Sequence, residues 1–149
     1  MTKVRPATWK DVEYFAVNMR KEDWEECLAI TGMTGRDALA VSYRKSQEAY
    51  AVEVEGRLVS IFGVVPPGCL WMMFTNDVER LPMSFFRESR KRVQVMVNTY
   101  EYIGNYTAPA NTFILKWLTW LGFSIGPVEL FNHVPVRRFH IERIDSNCV

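Results

Sequence analysis

Along the chain, apolar residues recur every three or four positions over five stretches and alternate, or run together, over the stretches between them. The first helical stretch opens at Thr8-Trp9-Lys10-Asp11, a hydroxyl at the cap with an acid three residues on. It runs to about Met19, with Val12, Phe15, Ala16 and Met19 on its buried face. A second helix over residues 24–30 stops at Gly32, and Thr34-Gly35-Arg36-Asp37 repeats the capping pattern to open a third that reaches Lys45. The fourth is long, over residues 84–100. Its apolar stripe is Phe86, Val93, Met96, Val97 and Tyr100, while Arg87, Arg90, Lys91 and Gln94 face elsewhere. The fifth opens on Asn111 and ends at Gly122-Phe123, where Gly122 suits a left-handed cap. Phe113, Trp117, Trp120 and Leu121 form its stripe, with Ile114 and Leu118 beside it. Three residues turn a helix by about 300°, so Trp117 and Trp120 diverge and this helix carries more apolar surface than one core contact needs.

Strands fill the remainder. Residues 4–6 form a first short strand, and 50–54 and 58–65 form a hairpin about Glu55-Gly56. After the break at Pro66-Pro67-Gly68, residues 69–75 are apolar on both faces, which predicts a central strand. Residues 102–107, 124–125 and 138–144 complete the sheet, and Asp145 to Val149 read as a frayed polar end. The order β-α-α-α-β-β-β-α-β-α-β-β predicts one α/β (α+β) domain over residues 1–149, a mixed and mostly antiparallel sheet flanked by helices.

At 149 residues the chain is long enough to bury a full core. A net charge of +1 argues against an electrostatic nucleic-acid binder, and Arg87, Arg90, Lys91 and Arg92 form the one basic cluster, interrupted by Glu88. No apolar run approaches a membrane span, and no apolar segment near Met1 suggests a signal peptide. Cys27, Cys69 and Cys148 are isolated, which suits a reducing compartment and predicts no metal site. His133 and His140 read as structural histidines.

The segment Asn111…Leu118-Thr119-Trp120-Leu121-Gly122-Phe123 resembles the late motif of the GCN5-related N-acetyltransferases, Asn-x-x-small/apolar-x-x-Leu-Tyr-x-x-Leu-Gly-Phe. The element order and the central hairpin extend the resemblance over nearly the whole chain. It implies acetyl-CoA binding where the fourth strand ends, at a loop of pattern Gln/Arg-x-x-Gly-x-Gly/Ala whose backbone N–H groups hold the pyrophosphate. Here that loop is Arg80-Leu81-Pro82-Met83-Ser84-Phe85. Met83 and Phe85 replace glycines, Pro82 removes a donor, and Leu118 stands where the family often has a thiolate-protonating Tyr.

A narrower resemblance is to the internal virion protein A family of tailed phages. It is carried by Val4-Arg5-Pro6-Ala7-Thr8 with Asp11, Met19-Arg20-x-x-Asp23, Gly56-x-x-Val59-x-x-Phe62-Gly63-Val64, Trp71, 75–79, 86–90, Asn105, Asn111, 117–123 and Arg138-Phe139-His140. This implies a non-catalytic assembly or genome-ejection protein without a cofactor. Its partners would be other phage structural proteins, and it would sit in the host cytoplasm and the virion. Trp120, Arg87 and Lys91 are then the expected partner contacts. The alternative is an acetyl-CoA-dependent N-acetyltransferase acting on a host protein or small amine, with Arg80, Met83, Ser84, Phe85 and Asn111 at the cofactor and a water replacing the tyrosine. Asp77 and Glu79 could then serve as base, or simply form a polar turn in which Asp77 caps backbone N–H groups. Strands 69–75 and 102–107 must splay apart in the enzyme and stay paired otherwise.

Overall fold

The computed structural model describes residues 1–143, apart from the side chains of Glu79 and Arg80. The sequence readings of Ile144 as strand and of 145–149 as a frayed end, and Cys148, lie outside the described residues.

Alternating and continuous apolar runs become seven strands: β1 (Thr2–Pro6), β2 (Glu48–Val54), β3 (Arg57–Val65), β4 (Cys69–Phe74), β5 (Tyr102–Thr107), β6 (Ser124–Phe131) and β7 (Val134–Glu142). They form one sheet in the order β1-β2-β3-β4-β5-β7-β6. Neighbours are antiparallel except β4 and β5, which run parallel. The helices are α1 (Trp9–Asn18), α2 (Lys21–Thr31), α3 (Gly35–Lys45), α4 (Met83–Tyr100) and α5 (Thr112–Leu121), with a 3-10 turn over Asn76–Arg80.

Two apolar clusters show the layering. Val12, Phe15 and Met19 of α1 and Leu39 of α3 pack on Ile61, Trp71 and Met73. On the other face, α4 and α5 bring Phe85, Val93, Met96, Ile114, Trp117 and Leu118 against Phe62, Val64, Leu70, Phe74 and Ile103. Both faces of β4 are thus covered, as its unbroken apolar run requires. At the start of α1, Thr8 N–H donates to Asp11 Oδ2 at 2.8 Å, and Arg5 grips the same carboxylate through two hydrogen bonds of 2.7 and 2.8 Å. β1 and α1 are clipped together there.

Three expectations need correction. The buried stripe of α4 is Phe85, Ser89, Val93, Met96 and Val97; Phe86 is half-buried beside it. Trp120 does not belong to the buried stripe of α5, which is Ile114, Trp117, Leu118 and Leu121. The last hairpin is much longer than 124–125 and 138–144: β6 runs to Phe131 and β7 starts at Val134. Asn132 and His133 take φ of 50° and 67°, forming a two-residue turn of the left-handed kind that matches strand twist.

Candidate functional site

β4 and β5 pair at one register point, Cys69 with Gly104, where Gly104 N–H donates to Gly68 O at 3.0 Å. A Cβ on Gly104 would run into Phe139 O of the neighbouring β7, so this approach needs glycine. The ladder stops at the next residue. Asn105 Nδ2 donates to Leu70 O at 2.9 Å, and its Oδ1 accepts the N–H of Tyr106 at 2.7 Å. One side-chain amide thus satisfies both backbone groups, and the strands diverge beyond it.

The far ends of the two strands are held by α2. Met19 bridges Thr75, and Arg20 N–H donates to Phe74 O at 2.8 Å, so the α1–α2 junction lies along the free edge of β4. Asp23 Oδ2 accepts Phe74 N–H at 2.8 Å. One turn later, Glu26 Oε1 accepts the Thr107 hydroxyl at 2.7 Å and also the Ala108 N–H. A cavity of about 120 Å³ enters the split, walled by Asp23, Glu26, Cys27, Trp71, Asn105 and Thr107 among others. Burial pushes the carboxyls of Asp23 and Glu26 above their ordinary range, although Arg20 and the backbone donors offset part of this. Burial also lifts the Cys27 thiol to about 12, with the two carboxylates adding to the effect, so Cys27 is a wall and not a nucleophile.

Arg20 crosses from α2 to α5. Its Nη2 donates to Asp23 Oδ1 at 2.6 Å and to Asn111 Oδ1 at 3.1 Å, and the rings of Phe74 and Phe113 each lie 5.6 Å from its guanidinium carbon. Three buried donors nearby have no acceptor at good hydrogen-bond geometry, Arg20 Nε, Asn111 Nδ2 and Trp117 Nε1, although the Asn111 side chain lies close enough to the Glu26 carboxyl to hold it down against burial. All belong to residues packed about Phe74 or bonded to one that is.

The other residues singled out in the sequence lie on two sides of this centre. Asn111 stands in it. Met83 is 58% exposed and lines an apolar groove of about 350 Å³ between α4 and α5, with Phe86, Phe113, Lys116, Trp117 and Trp120. Phe85 is 1% exposed, its ring turned into the core against Phe74 and Trp117, so it does not cover the helix end as the lost glycine had suggested. Its N–H is taken by Pro82 O, while those of Met83 and Ser84 have no acceptor within the helix. The Ser84 hydroxyl shares a 2.6 Å hydrogen bond with that of Thr2. Of Arg80 the backbone ends the 3-10 turn, and its side chain lies outside the described positions, as does that of Glu79. Thr75, not Asp77, caps that turn, its hydroxyl accepting Asp77 N–H. Trp120 is 39% exposed, edge-on to Phe86 and under Arg90. Lys91 pairs with Glu88, and Arg87 is exposed. Leu118 is fully buried. His140 stacks on Tyr102.

Sequence reasoning gave no role to Glu26, and met Arg20, Asp23 and Asn105 only as parts of a resemblance. A signal was present: residues 23, 26, 27 and 30 share one helical face, and all four line the cavity, so carboxylates occupy an inward stripe. Among the described residues, no group of three or more His, Cys, Asp or Glu could hold a metal, and no helix is long and apolar enough to cross a membrane.

No family model and no curated protein matches the sequence. Solved structures do match the fold. The aminoglycoside acetyltransferase AAC(6')-Ib in complex with coenzyme A superposes over 96% of this chain and 95% of its own, with a TM-score of 0.64 and 17% identity. The same enzyme with ribostamycin and coenzyme A gives 0.66 at 15% identity, over 95% and 93% of the two chains. Spermidine N-acetyltransferase from Vibrio cholerae, in complex with CoA and spermine, gives 0.65 at 13% identity over 95% of each chain. The expectation of a non-catalytic phage assembly or ejection protein is overturned here: these structural relatives are acetyltransferases, and nothing among them links the chain to a virion or to phage structural partners. The chain has the fold of the GCN5-related N-acetyltransferases.

Proposed function

We propose that the protein is an acetyl-CoA-dependent N-acetyltransferase that acts on a small amine. One observation carries this: the split between β4 and β5. Paired strands lie about 4.8 Å apart and leave nothing between them. Here the ladder ends after a single rung, and Asn105, Asp23 and Glu26 satisfy the backbone groups that the opening exposes. An opening whose edges are so provided for is a built feature, and it is what an acyl-carrying arm requires.

Acetyl-CoA fits the residues present. Buried donors without a well-aligned acceptor stand at the split, and the Phe85 ring leaves the start of α4 uncovered. The first N–H groups of α4 would face the phosphates, aided by the helix dipole. The groove from Met83 to Trp120 would hold the arm between α4 and α5. When bound, the cofactor supplies an acetyl group activated as a thioester.

The chain's own residues do the rest. The cavity beside α2 takes the acceptor amine, and the Glu26 carboxylate removes a proton from its ammonium nitrogen, a task suited to a carboxyl raised by burial. Trp71, Met73 and Ile30 keep that nitrogen out of bulk water. Leu118 offers no hydroxyl, so the departing sulfur takes its proton from water.

The test is calorimetric titration with CoA and acetyl-CoA, followed by incubation with primary amines and mass detection of acetylated product. Micromolar binding and product are expected. No heat up to millimolar ligand, with no product, would end this reading.

A further inference from the structure

The cavity beside α2 carries one charge that nothing balances. Among the described residues, Asp23 and Glu26 are the carboxylates of its wall, and no lysine, arginine or histidine lines it. Asp23 is already matched: Arg20 meets one oxygen at 2.6 Å, and the other accepts the Phe74 N–H. Glu26 is held by neutral donors, the Thr107 hydroxyl, the Ala108 N–H and, more loosely, the Asn111 side chain. A carboxylate offers about four acceptor positions, so one remains. Among the described residues no cation pairs with Glu26. A buried carboxylate in that state is completed by a single positive charge.

Past Glu26 the wall turns apolar. Ile30 follows one turn along α2, about 6 Å on, and Trp71 and Met73 line the side formed by the sheet. The Trp71 ring is fixed in place. Its Nε1–H donates to Ser46 Oγ at 2.7 Å, and a Cβ on Gly63 would come within 2.8 Å of it. Cys27, its thiol pushed up to about 12 by burial, stays neutral. At about 120 Å³ the space is somewhat smaller than the roughly 150 Å³ apolar cavity that takes benzene, so it holds about five carbons.

We infer that the acceptor is a short monoamine, its one ammonium at Glu26 and its apolar body lying along α2 toward Ile30, against Trp71 and Met73. This assignment rests on the acetyltransferase reading and narrows it. A second ammonium would lie among Ile30, Trp71 and Met73 with no carboxylate to meet it, which excludes diamines and polyamines. In the reaction the nitrogen gains the acetyl group as the C–S bond breaks, and it loses two protons. Through Glu26 and water, one proton replaces the acetyl group on sulfur and the other is released. The amide product carries no charge, so it loses the contact with Glu26 that held the substrate.

The experiment measures kcat/KM, by mass detection of acetylated product, for ethylamine, butylamine, pentylamine, octylamine and 1,4-diaminobutane. Pentylamine and the diamine have equal numbers of non-hydrogen atoms, an ammonium standing in place of a methyl. On the wild type, kcat/KM should rise about fourfold per methylene as far as pentylamine and no further by octylamine. Pentylamine should exceed the diamine by about a hundredfold or more. Ile30→Asp puts a second carboxylate at the apolar end and should raise the diamine about tenfold or more relative to pentylamine. Thermal melting checks that variant's fold, and the wild-type comparison decides alone if it does not fold. A diamine used as well as pentylamine, or a series flat in chain length, would overturn the assignment and leave the acetyltransferase reading standing. So would a folded Ile30→Asp with an unchanged ratio, or CoA binding with no amine of the series acetylated. Neither CoA binding nor product would remove the acetyltransferase reading, and this one with it.

Discussion

Asp23 and Glu26 stand one turn apart on α2 and hold opposite lips of the split, Asp23 through the N–H of Phe74 and Glu26 through the N–H of Ala108. Burial raises both carboxyls. A carboxyl raised in the fold binds its proton more tightly there than in the unfolded chain. The stability it contributes is therefore greatest below the ordinary carboxyl value and falls as pH rises through the raised one. In Glu26→Gln, the amide oxygen still accepts from Ala108, and one source of that fall disappears. Urea unfolding between pH 4 and pH 8 should show the variant gaining on the wild type as pH rises. Its kcat/KM for amine acetylation should drop about 10²–10⁴-fold if Glu26 is the base.

Asp11 has the opposite sign. Burial would raise its carboxyl, but the paired hydrogen bonds from Arg5, with those from Thr8, pull it below its ordinary value. Its contribution is present above the ordinary carboxyl value and is lost as pH falls through the depressed one. Asp11→Asn should cost about 1–3 kcal/mol at neutral pH, measured by denaturant unfolding, and should flatten the acid limb of the stability profile.

Asn105 and Gly104 set where the sheet opens. Asn105→Ala removes the acceptor of Tyr106 N–H and the donor to Leu70 O, so that amide should lose its protection in hydrogen exchange, with a loss of about 1–3 kcal/mol. Gly104→Ala forces a methyl against the Phe139 carbonyl and should destabilise the domain by more. An unchanged melting temperature for Gly104→Ala would mean that β5 and β7 can part without penalty.

Much of this architecture was legible in the sequence because period two and period 3.6 are easily told apart when one face is buried. The β6–β7 hairpin was not, for physical reasons. Most of β6 is exposed, which removes the alternation that marks a strand, and its turn takes positive φ at Asn132 and His133 with no glycine to signal it. Phe85 was misplaced because a loop motif assigns residues by position, whereas its ring follows the apolar demand of the core. Arg20 and Asp23 entered only through a resemblance, and Glu26 not at all. Their burial comes from the strand opening they face, a tertiary feature that no local window contains.

Trp120 is a rim residue, edge-on to Phe86 and covered by Arg90. Trp120→Ala should leave the melting temperature nearly unchanged while weakening acetyl-CoA binding several-fold by calorimetry. A collapse of the fold would make it a core residue; unchanged affinity would take the α4–α5 groove out of the binding surface.

Because Asp23 and Glu26 grip backbone, the bore of the opening is gauged by helix pitch. Positions three apart on a helix are offset by about 4.5 Å along its axis, whatever the surrounding loops do. α2 thus acts as a ruler laid across the sheet, and a ruler can be re-marked. Ile30 faces the same cavity one turn beyond Glu26. Shifting the second mark there, with Glu26→Ala and Ile30→Glu together, would recalibrate the aperture from one helix and leave every strand sequence as it is.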